Sequence, residues 1–284
     1  MAVNKKYIIG IDIGGSKINA IVFNDGKVLK SAKILTSKNK REFLKGLEAV
    51  VGKMISGLNK KELAGIGCGL AGALDLEKGI VLGAKNIKIL NSFNIKNWLE
   101  KKFGCKVKID NDARCFTRAE YIWGAGMGYK NLIGVTLGTG IGGGIIIDGK
   151  MFYGNGSAGE IGHMIGGEIY LEDLIVKDIK NFGFSDPLKT YEFAKTGNKK
   201  AKEAFNKMGK YLGVCIANLV NILDPEAVVI GGGIAGAAEF FLPKARQIIK
   251  KFSVSPKSRK NIKILIGKLG ENAGAIGAAA LFLE

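Results

Sequence analysis

Ile9-Gly10-Ile11-Asp12-Ile13-Gly14 and Ile133-Gly134-Val135-Thr136-Leu137-Gly138 are two versions of one pattern, an apolar strand running into a glycine-rich turn. Each leads into a second apolar run and then Asp-Gly-Lys, at Asp25-Gly26-Lys27 and at Asp148-Gly149-Lys150. The first block returns 124 residues later and the last 123 residues later, so a single gap aligns the copies. A strand, turn and strand unit therefore occurs once in each half of the chain. Glycine lets the backbone approach an anion closely and presents N–H groups to it, so two such turns facing one another suit a polyphosphate. The pattern reads as a nucleotide site between two related domains.

Outward from the first copy, strands are expected at 7–13, 18–23 and 28–34. A helix follows, with Phe43, Leu44, Leu47, Val50, Val51, Met54, Ile55 and Leu58 on the 3.6-residue period. A strand at 64–70, a helix at 95–103 and a strand at 106–109 complete a βββαβαβ order. From the second copy, hairpin strands are expected at 131–137 and 144–147, then a polar insertion near 155–190. A long helix carries Phe205, Met208, Leu212, Ile216, Leu219 and Ile222 and stops at Asp224-Pro225. A buried strand at 227–230 enters Gly231-Gly232-Gly233, and a strand at 262–266 and a small-residue helix at 272–283 close the chain. The duplicated plan predicts two α/β domains flanking a central cleft, with ligand loops at the strand ends. The division is expected after residue 111, giving a small domain 1–111 onto which 272–284 returns and a larger domain 112–271.

Gly138-Thr139-Gly140-Ile141-Gly142-Gly143 also satisfies the dinucleotide pattern G-x-G-x-x-G. That pattern needs a helix straight after the turn. Here a β-branched run ending in Asp148-Gly149 follows, so the element is a hairpin. No G-x-x-x-x-G-K-[ST] loop is present.

At 284 residues and 47% hydrophobic, the chain can bury two ordinary cores. No apolar stretch has the length of a membrane span, and the strand-like segment close to Met1 leaves no room for a signal peptide. Cys68, Cys105, Cys115 and Cys215 are scattered with no Cys-x-x-Cys pair, which fits a reducing cytoplasm and suggests neither disulfides nor a zinc knuckle. The net charge of +18 invites a nucleic-acid reading, yet only Arg41, Arg114, Arg118, Arg246 and Arg259 of the 43 basic residues are arginine. Specific base and phosphate recognition leans on arginine's planar fork. A lysine-rich solvated surface that attracts anionic metabolites is favoured over weak, salt-sensitive nucleic-acid contact.

Three segments carry chemistry. In Asp12-Ile13-Gly14-Gly15-Ser16-Lys17 the glycines and Ser16 can donate to phosphate oxygens and Asp12 can hold Mg²⁺ through water; the alternative is a tight hairpin turn with an incidental acid. In Asp110-Asn111-Asp112, Asp112 or Asn111 can be the N-cap of a following helix, and one of the two carboxylates can be the base that accepts a hydroxyl proton. Ser157-Ala158-Gly159-Glu160-Ile161-Gly162-His163 holds the only histidine. It is either a structural residue or, with Glu160, part of a site for a polyhydroxylated substrate, since too few Cys or His lie nearby for zinc.

Together these segments resemble the ROK family of sugar kinases and sugar-responsive repressors, within the actin-like, hexokinase-type (ribonuclease H-like) ATPase fold. Asp12-Ile13-Gly14-Gly15-Ser16-Lys17 resembles the family's first phosphate motif, with serine for the commoner threonine. Gly69-Leu70-Ala71-Gly72 resembles its Gly-Leu-Pro-Gly segment, and Asn111-Asp112 the pair containing the catalytic aspartate. Leu137-Gly138-Thr139-Gly140-Ile141-Gly142-Gly143 resembles the second phosphate motif, Glu160-Ile161-Gly162-His163 the sugar-binding Glu-x-Gly-His, and Gly231-Gly232-Gly233 the adenosine-side motif. Family members usually continue from Glu-x-Gly-His into a Cys-x-Cys-Gly-x-x-Gly-Cys zinc loop. Here Met164-Ile165-Gly166-Gly167-Glu168-Ile169-Tyr170 leads directly to Leu171-Glu172. Structural zinc is therefore not expected, and Glu172 aligns with the family's last sugar-binding glutamate if the loop has been deleted.

The resemblance implies an ATP- and Mg²⁺-dependent hexose kinase, with glucose the leading substrate and N-acetylmannosamine, fructose or allose as alternatives, and a homodimer without membrane or specific nucleic-acid partners. Asp112 is the implied base. Gly14, Gly15, Ser16, Lys17, Gly138, Thr139, Gly140, Gly231, Gly232 and Gly233 face the nucleotide, with Asp12 at the metal. Asn86, Asn111, Asp112, Glu160, His163 and Glu172 face the sugar. A sugar-sensing regulator of the same fold is the rival, although regulators of the family resemble kinases fused to an N-terminal helix-turn-helix module, and no residues precede the first strand to build one.

Overall fold

The computed structural model describes residues 6–138, 140–166, 168–184 and 187–283. The chain forms two compact units, one of Met1–Trp123, Tyr153–Ala158 and Glu271–Glu284, the other of Gly124–Phe152 and Gly159–Gly270.

The first unit opens with strands β1 (Tyr7–Ile13), β2 (Lys17–Asn24) and β3 (Lys27–Leu35), then helix α1 (Lys40–Ile55) and strand β4 (Leu63–Leu70). A small hairpin of β5 (Ala73–Asp75) and β6 (Ile80–Gly83) precedes helix α2 (Ile95–Phe103), strand β7 (Val107–Asn111) and helix α3 (Asp112–Trp123). The five-stranded sheet has the order β3-β2-β1-β4-β7, antiparallel through the hairpins and parallel from β1 to β7. Strand alternation sends Ile9, Ile11 and Ile13 to one face, where they join Phe43, Leu47 and Met54 of α1 and Ile95 and Leu99 of α2 in one core.

The second unit repeats the plan with β8 (Leu132–Leu137), β9 (Ile141–Ile147) and β10 (Lys150–Met151). A two-residue ladder of β11 (Ile165–Gly166) and β12 (Ile169–Tyr170) leads to α4 (Leu171–Asn181), α5 (Pro187–Lys195) and α6 (Lys199–Leu223). Strand β13 (Ala227–Gly231), helices α7 (Ala238–Phe252) and α8 (Pro256–Asn261) and strand β14 (Lys263–Ile266) complete it. The order β10-β9-β8-β13-β14 matches the first sheet strand for strand. Ile133, Val135, Leu137, Val228 and Ile230 share a core with Phe205, Met208 and Leu212 of α6 and Phe241 of α7.

Helix α9 (Ala273–Ala280) belongs to the first unit and lies on the face of its sheet opposite α1. The sequence of both surfaces explains the fit. A Cβ at Gly10 would stand 2.0 Å from the Ala275 carbonyl oxygen, and one at Gly67 1.8 Å from that of Ala278. Only glycine in the strands lets this alanine-rich helix settle directly on the backbone of the sheet.

The structure corrects three expectations. The boundary lies after Trp123 rather than after residue 111, because α3 packs in the first unit, its Trp123 ring edge-on to Phe23 at 4.9 Å between centroids. Strand β9 starts at Ile141 rather than 144. Gly142 and Gly143 are ladder residues opposite Thr136 and Val135, and a Cβ at Gly143 would meet Gly159 O at 2.7 Å, so glycine marks a crossing segment there rather than the end of the strand. The polar insertion contains α4 and α5, the first held by buried Leu171 and Ile175 one turn apart.

Candidate active site

In the first unit the turn after β1 is closed by Gly14 N–H donating to Lys17 O at 3.0 Å. Thr36 braces it, Oγ1 donating to Gly14 O at 2.8 Å and the backbone N–H to Ser16 O at 3.0 Å. Lys38 Nζ donates to Gly15 O at 3.0 Å and to Asn86 O at 2.9 Å, and a Cβ at Gly15 would lie 2.8 Å from Asn86 Cβ. Asn86, an expected sugar ligand 72 residues from Gly14 in sequence, thus packs on the glycine turn after β1. Lys17 reaches Glu271 at 3.3 Å, and Lys33 pairs with the same carboxylate.

Asp12 sits at the end of β1 under the start of α9, where a Cβ on Gly274 would come within 2.5 Å of Asp12 Oδ2. Burial first and the charge of Asp112 second push its carboxyl up to about 7, with Lys17 acting in the opposite sense. A carboxylate near another is harder to ionise, and carboxylate oxygens suit a hard cation such as Mg²⁺. Among the described residues no three His, Cys, Asp or Glu side chains gather into a metal cluster.

At the start of α3 the three polar residues separate into three tasks. Asp110, 1% exposed, accepts from Arg114 Nε at 2.7 Å and Arg118 Nη2 at 2.8 Å, and Tyr153 Oη joins at 3.3 Å. Asn111 is the N-cap: its Oδ1 accepts from the N–H groups of Ala113 at 2.9 Å and Arg114 at 3.2 Å, while Nδ2 donates to Gly72 O at 3.2 Å. Its carbonyl oxygen is thus committed to the helix, and the amide keeps one N–H for other partners. Asp112 is the first helical residue, half-buried, at the end of the helix where a negative charge is favoured.

In the second unit Gly138 N–H donates to Gly140 O at 3.0 Å, the counterpart of the bond in the first turn. Thr139 lies outside the described residues. Glu172 stands beneath this turn, its Oε2 accepting from Ile141 N–H at 3.3 Å and 2.8 Å from where a Gly140 Cβ would be. His163 Nδ1 is 3.2 Å from Glu160 Oε2, Nε2 is 3.9 Å from Glu172 Oε1, and the ring meets Tyr170 edge-on. Glu160, His163 and Glu172 thus form one cluster without a cysteine loop between them. Gly231 pairs with Thr136 across β13 and β8, and Gly232 takes φ +86° where the chain leaves the strand for the turn at 233–237. A hollow in this unit is lined by Leu137, Gly138, Gly140, Ile141, Glu172 and Ile234, among others.

Sequence reasoning missed the Asp110, Arg114, Arg118 and Tyr153 network. Its signal was the spacing of Arg114 and Arg118, four residues apart and so on one face of the helix that follows Asp110. It also missed Asn19, which stands directly across from Asp12 in the β1–β2 ladder.

The ROK family model matches residues 8–171 and 175–284 of the chain. A glucokinase of Halalkalibacterium halodurans is 30% identical, with 97% of this chain and 94% of that protein covered. A xylose repressor of Caldicellulosiruptor bescii is 31% identical, covering 100% of this chain and 80% of its own length. The crystal structure of a ROK family glucokinase from Streptomyces griseus in complex with glucose and AMPPNP superposes with a TM-score of 0.85 at 29% identity, over 97% of this chain and 98% of that one.

Proposed function

The chain belongs to the ROK family, and we propose that it is an ATP-dependent hexose kinase, transferring the γ-phosphoryl group to a sugar's primary hydroxyl, with glucose giving glucose 6-phosphate as the leading reaction. The observation that carries this reading is the separation of roles at the start of α3. Asp110 is sealed by two guanidinium groups, whereas Asp112 is half-buried beside Asp12. Asp112 accepts the hydroxyl proton as the phosphoryl group arrives, a step of general-base catalysis in a loose phosphoryl transfer.

The N–H groups of Gly14, Gly15 and Ser16 and the ammonium of Lys17 hold the phosphates from one turn, those of Gly138, Thr139 and Gly140 from the other, and Gly231, Gly232 and Gly233 border the adenosine. Asp12 holds Mg²⁺ through water, and the ion when bound offsets charge on the β- and γ-phosphates. Asn86, Asn111, Glu160, His163 and Glu172 bind sugar hydroxyls. A site built from such groups rejects analogues that leave them unpaired. The similarity to two glucokinases supports glucose. The same reading makes the protein a cytoplasmic homodimer, which light scattering would test.

A sugar-sensing regulator is the second reading, supported by the similarity to a xylose repressor along the whole chain. One experiment separates the two: ADP release from Mg·ATP with glucose, N-acetylmannosamine, N-acetylglucosamine, fructose, mannose or allose, with Asp112→Asn alongside. Turnover with one sugar, lost in the variant, supports the kinase and names its substrate. Sugar binding without turnover favours the sensor.

A further inference from the structure

Asn19 is 2% exposed, on the central strand pair, directly opposite Asp12. Opposed residues in a ladder share a face, with Cβ atoms about 5 Å apart, so both side chains stand on the side covered by α9. The amide nitrogen of Asn19 donates to Glu271 O at 3.2 Å and Asn272 Oδ1 at 3.0 Å. A backbone carbonyl can only accept, so the NH₂ group must face Glu271, and the orientation of the amide is fixed. Asn19 Oδ1 is then left buried without a hydrogen-bond donor. Buried acceptors are ordinarily satisfied, by protein or by water.

We infer that Asn19 Oδ1 accepts a hydrogen bond from a water of the Mg²⁺ held at Asp12, making Asn19 a second residue of the metal site. The inference rests on the proposed position of Mg²⁺. Magnesium keeps several of its waters when bound, and each is a strong donor in search of an acceptor. Asp12 supplies charge on β1, and Asn19 supplies a neutral oxygen across the ladder on β2. The second hairpin carries neither group, since its Thr136 pairs with Gly142. The acceptor thus accompanies the carboxylate in the one copy assigned to the metal.

Mn²⁺ binding to the sugar-free protein, read from the electron paramagnetic resonance of the free ion and reversed by Mg²⁺, tests this directly. Asp12→Asn is expected to abolish most of the binding. Asn19→Leu is expected to weaken it about three- to tenfold, as for loss of one hydrogen bond, while Asn272→Ala, which removes a partner of the amide nitrogen but keeps Oδ1, binds as the parent does. Melting in EDTA monitors folding, and if Asn19→Leu does not fold, Asn19→Ser carries the same expectation. Unaltered binding in Asp12→Asn would overturn both the metal position and the role of Asn19. Weakened binding in Asp12→Asn with parental affinity in Asn19→Leu or Asn19→Ser would overturn the role of Asn19 alone.

Discussion

The hairpin β1–β2 and the hairpin β8–β9 close their turns with equivalent bonds, Gly14 N–H to Lys17 O and Gly138 N–H to Gly140 O, both 3.0 Å. Each first strand also has a parallel neighbour with glycine at the matching position, Gly69 opposite Asp12 and Gly231 opposite Thr136. Their side chains diverge. Ile13 pairs with Ile18 across a four-residue turn and Leu137 with Ile141 across a three-residue turn, so the one gap between the copies falls inside the turn. Where the first copy carries Asp12, Asn19 and Lys17, the second carries Thr136, Gly142 and Gly140. Backbone N–H groups in a glycine turn suffice to meet phosphate. On the proposed reading that task is built into both backbones, and the side chains of the first copy take up the metal.

The sharpest break in this asymmetry lies at the start of α3. Asp112→Asn should lower kcat about 10²- to 10⁴-fold with sugar binding by calorimetry preserved. Asp110→Asn, two residues away, should act on folding instead. It removes the carboxylate that accepts from Arg114 Nε and Arg118 Nη2, side chains 3% and 1% exposed, a loss of about 3–5 kcal/mol in urea unfolding.

A third contrast sets Asp12 against Thr136. Asp12→Asn should raise the Mg²⁺ concentration needed for half-maximal turnover, whereas Thr136→Ala should leave it unchanged, as a magnesium titration of the rate would reveal. The metal-free protein adds a pH signature. The Asp12 carboxyl is raised from 3.8 to about 7 by burial and by Asp112, so ionisation is harder in the folded state than in the unfolded chain. The contribution of Asp12 to stability is full below pH 4 and declines as pH rises through 7. In EDTA, the urea midpoint of the parent relative to that of Asp12→Asn should fall over this range. Smallest is the effect at Glu160, whose side chain is 40% exposed: Glu160→Ala should raise the sugar KM about tenfold, the worth of a hydrogen bond to a charged group, and leave the melting temperature unchanged.

The duplication was legible because it is written in strand periodicity and glycine position, which local sequence controls. The boundary after Trp123 was not, since α3 is assigned by its packing partners, and Phe23 lies 100 residues from Trp123 in sequence. Asp12, Asp112 and Glu160 could be picked out by motif, whereas the two arginines that seal Asp110 became visible only in the structure. The link between His163 and Glu172 depended on α4, hidden in a segment whose polar residues masked the buried pair Leu171 and Ile175. Asn19 had no local signal at all, because its significance comes from lying across a ladder from Asp12.

The most direct measurement is the turnover of Mg·ATP with glucose by the parent and Asp112→Asn, with glucose affinity determined for both. The expected result is a fall of at least about a hundredfold in kcat with affinity unchanged. Turnover retained in Asp112→Asn would contradict the assignment of the base and with it the concentration of chemistry in the first unit.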